Sequence, residues 1–147
     1  MNPLRLVFVA ALLFAAGAAH AFDFKAIGDA PAVMFDAPTQ KGIKRFIAPP
    51  GMPVEVVHVS GSWSKVRDAG GDMTWVETKA LSAKRTVVVM AVNAKIRARA
   101  EESASLVFSA DKGVLLDIAE PVSSGWIKVK HRDGQGGYIR VSEVWGV

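Results

Sequence analysis

The sequence predicts an all-β protein: two small five-stranded barrels in tandem after a cleaved signal peptide. Three observations carry that prediction. The hairpin "GSWSKVRDAGGDMTWV" (61–76) returns as "SGWIKVKHRDGQGGYI" (124–139): Trp63, Lys65, Val66 and Arg67 recur as Trp126, Lys128, Val129 and Lys130, and Trp75-Val76 as Tyr138-Ile139. Short apolar runs alternate with polar residues at a period of two, the mark of half-buried strands. Clusters of Gly, Asp and Pro separate those runs, as tight turns require.

The first segment stands apart from the fold. "MNPLR" carries one positive charge, "LVFVAALLFAAGAA" is apolar, and "AHA" (19–21) has the small-x-small form of a signal-peptidase site. Cleavage after Ala21 is expected, giving an exported, periplasmic chain that begins at Phe22; an uncleaved anchor is the alternative. The apolar run is shorter than the roughly 20 residues that cross a membrane, so no stable membrane insertion is expected after cleavage. With no cysteine, there is neither a lipid acceptor nor a disulfide.

The remaining chain divides into 22–83 and 84–147. Units of about 60 residues bury only about 60% of their unfolded surface and are marginal alone, so the two copies are expected to lean on each other or on a shared linker. In the first, "AVMFDAP" (32–38) aligns with "AKIRARA" (94–100), and "GMPVEVV" (51–57) with "GVLLDIA" (113–119). The inward set predicted by alternation is Val54, Val56, Val66, Val76, Leu116, Ile118, Val129 and Ile139. "APPGMP" (48–53), "DAGGD" (68–72) and "RDGQGG" (132–137) are turns. "ARAEESASL" (98–106) consists of helix formers, but the repeat sets it over a segment holding Pro38 and Gly42, and a loop is expected. "KRTVVVM" (84–90) is expected to be a linker strand packed between the copies, because its branched residues favour extended backbone.

The pleat sorts the hairpin residues by face. Val66 points inward, so Trp63, Lys65 and Arg67 share the outer side. A symmetric turn sets Val76 opposite Val66, Trp75 near Arg67 and Glu77 opposite Lys65. In the second copy Trp126, Lys128 and Lys130 face out, with Lys130 near Tyr138. Trp145 is expected to seal the C-terminal edge of its barrel.

A strand of the form G-x-x-V-x-V (Gly51, Val54, Val56), then Trp63-x-Lys65-Val66-Arg67-Asp68 and Trp75-Val76, followed by "ALSAKRTVVV", resembles the bacterial SH3 (SH3b) family, and within it the exported tandem subgroup. The resemblance covers 32–81 and 94–145. It implies SH3-like, strongly bent five-stranded barrels without a catalytic centre that bind short peptides, often those of peptidoglycan. The family's Gly before the second aromatic is Thr74 in the first copy and Gly137 in the second; its Asn-Val-Arg is Val33-Met34-Phe35 in the first and Lys95-Ile96-Arg97 in the second. The Trp that opens this strand lines the peptide groove of SH3 domains, a role the resemblance carries to Trp63 and Trp126. The candidate ligand-binding set is Trp126, Lys128, Lys130, Tyr138, Trp63, Lys65, Arg67 and Trp75. The structural alternative is that the tryptophans pack the copies together and that Trp75 and Tyr138 are covers.

The residues for chemistry are sparse. Without cysteine there is no Cys-His site. His58 and His131 are not repeat equivalents, and no spacing suits a metal. No pair of carboxylates is marked for glycoside hydrolysis. A formal net charge of +4 without a block of like charges gives no nucleic-acid footprint. No enzyme and no cofactor are therefore expected. The partner is expected to be a cell-wall peptide or, alternatively, a periplasmic protein, with two copies offering bivalent attachment.

Overall fold

A computed structural model describes residues 22–147; the expected signal peptide, 1–21, lies outside the described residues. The first unit has strands β1 (Phe24–Ile27), β2 (Ala32–Phe35), β3 (Lys44–Ala48), β4 (Pro53–Ser60), β5 (Trp63–Arg67), β6 (Met73–Glu77) and β7 (Leu81–Ser82). The second has β8 (Thr86–Val89), β9 (Ala94–Arg97), β10 (Leu106–Ala110), β11 (Leu115–Ile118), β12 (Trp126–Lys130), β13 (Gly136–Arg140) and β14 (Val144–Trp145). The spatial orders are β3-β2-β6-β5-β4-β1-β7 and β10-β9-β13-β12-β11-β8-β14. These are one and the same order, so the sequence repeat is a repeat of topology.

The five-stranded barrels expected from the sequence are not what forms. Each unit is a seven-stranded antiparallel sheet, and neither closes: β3 does not pair with β7, nor β10 with β14. The difference comes from two strands on one flank. β1 pairs with β4 (Lys25 opposite Val54) and carries β7 on its other side, while β8 pairs with β11 (Val87 opposite Leu116) and carries β14. Segment 84–90 is therefore built into the second sheet, with Val87 and Val89 fully buried in its core. Its counterpart in the first unit is "FKAI", which lacks the run of branched residues that made 84–90 visible.

Each sheet bends over its own apolar face. Ile27, Met34, Ala48, Val54, Val66 and Val76, from β1 to β6, form the first core; Val87, Val89, Ile96, Leu116, Ile127, Val129 and Ile139 lead the second. Six of the eight residues predicted to face inward are buried, and Val56 and Ile118 pack half-buried against the same clusters. Segment 98–105 is a loop and Leu106 opens β10; the loop is closed by Ala98 N–H to the Ser105 carbonyl at 2.8 Å and pinned by Arg97 Nη1 on the Ala104 carbonyl at 3.1 Å. Helix propensity gives way to these contacts.

The hairpin register differs from the symmetric expectation by two residues. Lys65 stands opposite Trp75, Val66 opposite Thr74, Trp63 opposite Glu77 and Arg67 opposite Met73. Asp68 causes this: its Oδ1 accepts the N–H groups of Gly70 and Asp72 at 2.9 and 3.0 Å, and its own N–H donates to the Asp72 carbonyl at 3.0 Å. That makes a five-residue loop. The second hairpin follows suit, with Lys128 opposite Tyr138 and Lys130 opposite Gly136.

The two units meet along a short seam. The rings of Phe24 and Trp145 pack edge-on with centroids 5.0 Å apart, so Trp145 caps the first unit and not merely the edge of its own. Arg85 lies 5.6 Å from the Phe24 ring and donates from Nη2 to the Gly146 carbonyl at 2.9 Å, and Thr86 Oγ1 donates to the Gly51 carbonyl at 2.7 Å.

Candidate functional site

The outer side of the second sheet sets Lys128 between Tyr138 and the segment after β11. Lys128 Nζ is 3.2 Å from Glu120 Oε1 and 5.9 Å from the Tyr138 ring centroid. The hydrogen bond and charge of the Glu120 carboxylate hold the Lys128 ammonium above its ordinary pKa, so the cation is kept. Trp126, expected to stand exposed beside these residues, is only 6% exposed. It shares their side of the sheet, but Arg140, its cross-strand partner, lies over its ring at 4.6 Å. Glu102 then bridges two cations, accepting from Arg140 Nε at 2.5 Å and lying 3.8 Å from Arg97 Nε. A Trp-Arg-carboxylate-Arg stack results; with the Arg140 side chain 43% exposed, its cation–π step contributes about 0.5 to 1 kcal/mol.

One edge of Trp126 stays in reach of solvent. With Tyr138 it lines an open groove of about 490 Å³, walled by Ala98, Arg99 and Ala100 on one side and by Glu120, Pro121, Ser123 and Ser124 on the other. The second wall exists because the chain turns back at Ser124 and Gly125, both with positive φ (51° and 81°). Small-residue turns tolerate that backbone. The groove thus offers aromatic surface, the exposed Arg99 cation, the Glu120 carboxylate and two hydroxyls.

The first unit builds the equivalent place differently. Trp63 is half-buried and packs edge-on against Phe35 at 5.4 Å, where the second unit has Arg97. Glu77 replaces Arg140 and accepts from Gln40 Nε2 at 2.5 Å. Lys65 is flanked in register by His58 and Trp75, whose rings lie 6.1 Å apart. Arg67 is taken up by an ion pair with Glu55, itself 8% exposed.

The predicted set is thus divided. Trp126, Lys128 and Tyr138 come together, as do Lys65 and Trp75; Arg67 is a structural ion-pair partner. Lys130 is exposed and borders a different hollow, the cleft between the units, together with His131 and Arg132. The sequence reading missed Arg140, Glu102, Glu120 and Arg99. Arg140 becomes visible once the turn is counted as five residues, since it then faces Trp126. Glu120 is the repeat counterpart of His58. Glu102 and Arg99 sit on a loop whose path no local pattern reports.

The glycine difference between the copies has a steric basis. A Cβ at Gly137 would fall 2.5 Å from the Arg97 carbonyl oxygen and 2.7 Å from Ile96 Cγ2, whereas the first unit buries Thr74 there. At the tip of the second hairpin, the Gln135 N–H donates to Asp133 Oδ1 at 2.9 Å and, with His131, lowers the Asp133 pKa. Among the described residues no group of three or more His, Asp or Glu side chains is placed to hold a metal ion, and no helix is long and apolar enough to cross a membrane.

Comparison with known proteins gives one family. The model of the "Bacterial SH3 domain" matches residues 28–83 and again 90–146. No curated protein matches the sequence. Among solved structures, NlpC2 from Trichomonas vaginalis is similar at 11% identity and a TM-score of 0.40, over 86% of this chain and 49% of that one. NlpC1 from the same organism is similar at 12% identity and 0.40, over 95% and 51%. The chain spans about half the length of each, and likeness at this level bears on neither fold nor function.

Proposed function

The chain belongs to the bacterial SH3 domain family through both of its units, and on that premise we propose that it is an exported protein that grips a peptidoglycan peptide in the groove beside Trp126 and Tyr138. SH3 domains are non-catalytic, so the chain is a binding module and not an enzyme; the lack of cysteine accords with this. The observation that carries the reading is the groove itself, lined by Trp126, Tyr138, Arg99 and Glu120, with Lys128 held against Glu120 at 3.2 Å. Such a combination of apolar contact and a few fixed polar groups is how short, charged ligands are oriented. In this reading residues 1–21 are removed after Ala21 and the protein acts in the periplasm, its mature mass beginning at Phe22.

Sedimentation with purified peptidoglycan tests the groove. Tyr138→Ala removes an aromatic anchor of the kind that contributes about 2 kcal/mol at an interface, and Arg99→Glu reverses an exposed charge at the rim without touching the core. Both should weaken binding while Arg99→Glu melts like the wild type. Unchanged binding in both variants sinks the groove assignment.

Docking onto a periplasmic protein is the second reading. It is favoured by Ile43 and Ile47, which are 66% and 67% exposed beside the unpaired edge of β3. Exposed apolar residues on an open strand edge are a template for another chain. Absence of sedimentation, with a co-purifying protein lost in Ile47→Lys, would favour it.

A further inference from the structure

The hollow between the two units shares no lining residue with the groove beside Trp126. It encloses about 450 Å³, within the roughly 300 to 1,000 Å³ of small-ligand sites. Pro50 and Gly51 of the first unit and Leu115 of the second line it, with Asp29 contributed by the β1–β2 turn of the first unit and Lys84, Asp117, Lys130 and Arg132 by the second.

Its charge follows from a difference between the copies. In the first unit the cation that ends β5, Arg67, is opposite Glu55 and forms an ion pair with it. In the second unit Lys130 is likewise opposite Asp117, but Asp117 is engaged by Lys84 at 3.1 Å. The repeat counterpart of Lys84 in the first unit is Phe22, which carries no charge. Lys84 therefore releases Lys130 from its cross-strand partner. The hairpin tips differ in the same sense: Asp68-Ala69 in the first copy becomes His131-Arg132 in the second, and the second tip is the one that borders the cleft. Lys130, Arg132 and Asp29 have no ion-pair partner among the described residues. With Lys84 and Asp117 neutralising each other at its wall, the cleft keeps two unpaired cations from the second unit, Lys130 and Arg132, and one unpaired carboxylate from the first, Asp29, beside apolar Pro50 and Leu115, a set that matches a short chain charged at both ends.

We infer that this cleft binds a short zwitterionic peptide, its carboxylate held by Lys130 and Arg132 and its ammonium directed toward Asp29.

Triglycine is the probe, titrated into the full mature chain and followed by amide chemical shifts. Saturable shifts are expected at Gly28, Gly51 and Gly113. Amidating the C-terminus of the probe, or the double change Lys130→Ala with Arg132→Ala, should weaken binding about tenfold, the scale of a lost charge-assisted contact. Acetylating its N-terminus should weaken binding too. Asp117→Asn leaves every cation in place but frees Lys84, so binding should tighten. Arg99→Glu, in the other groove, should change nothing, which separates failure of this site from failure of that one. No saturable shift, equal binding of the amidated or acetylated probe, no gain in Asp117→Asn, or inorganic phosphate binding as tightly as triglycine would each overturn the inference.

Discussion

At the residue scale, what matters is how little room some positions leave. Gly137 sits where any Cβ would press on the Arg97 carbonyl, which belongs to the residue whose guanidinium reaches Ala104 and Glu102. Gly137→Ala should therefore do two things. It should lower stability by about 1 to 3 kcal/mol, the usual cost of overpacking, and it should loosen the loop that walls the groove. Thermal melts measure the first and hydrogen exchange at Ala104 the second; a variant as stable as wild type would show that β9 and β13 can separate freely. Trp126 carries a related lesson. Its side of the strand was legible from alternation with Ile127 and Val129, but its burial was not. That depends on Arg140, whose position opposite Trp126 needs the correct loop length, and on Glu102, brought in by a loop with helix-like composition.

At the element scale, the hairpins show where sequence patterns inform and where they stop. A period of two tells which residues share a face, and Val54, Val66, Leu116 and Val129 all face inward as that pattern demands. It says nothing about which residue stands across the ladder, because sliding a partner strand by two residues preserves every face. In the first hairpin the choice rests on the Asp68 carboxylate and its two backbone N–H donors. Asp68→Ala should cost about 1 kcal/mol, since both contacts are solvent-exposed and modest in net worth. Cross-strand contacts between Lys65 and Trp75 should weaken, and nuclear Overhauser intensities report them. Persistence of those contacts at full strength would shift the credit to the core valines. Sheet closure was illegible for a different reason. It depends on whether flanking strands are added, and "FKAI" carries no alternating pattern by which β1 could be recognised.

At the scale of the whole molecule, two units with one topology share a seam of few residues. Each is small enough to be marginal by itself, and Phe24, Arg85, Trp145 and Thr86 supply contacts between them. Trp145→Ala removes the largest of these side chains. Calorimetry should show one unfolding transition in the wild type and two in the variant, with the total stability down by about 2 kcal/mol or more. One sharp transition at nearly the original temperature would show that the covalent joint and the remaining polar contacts suffice. The same variant should also weaken triglycine binding, because a hollow lined from both units needs both sides held.

The seam also has a mechanical meaning. Phe24 belongs to the first described strand and Trp145 to the last, so the seam joins β1 to β14. Tension drawing these strands apart loads the ring contact, the Arg85 cation over Phe24 and the Thr86–Gly51 hydrogen bond before it reaches the longer ladders of β4–β5 and β12–β13. The molecule would lengthen by parting its two halves while each sheet stayed folded, and would recoil when the load was released.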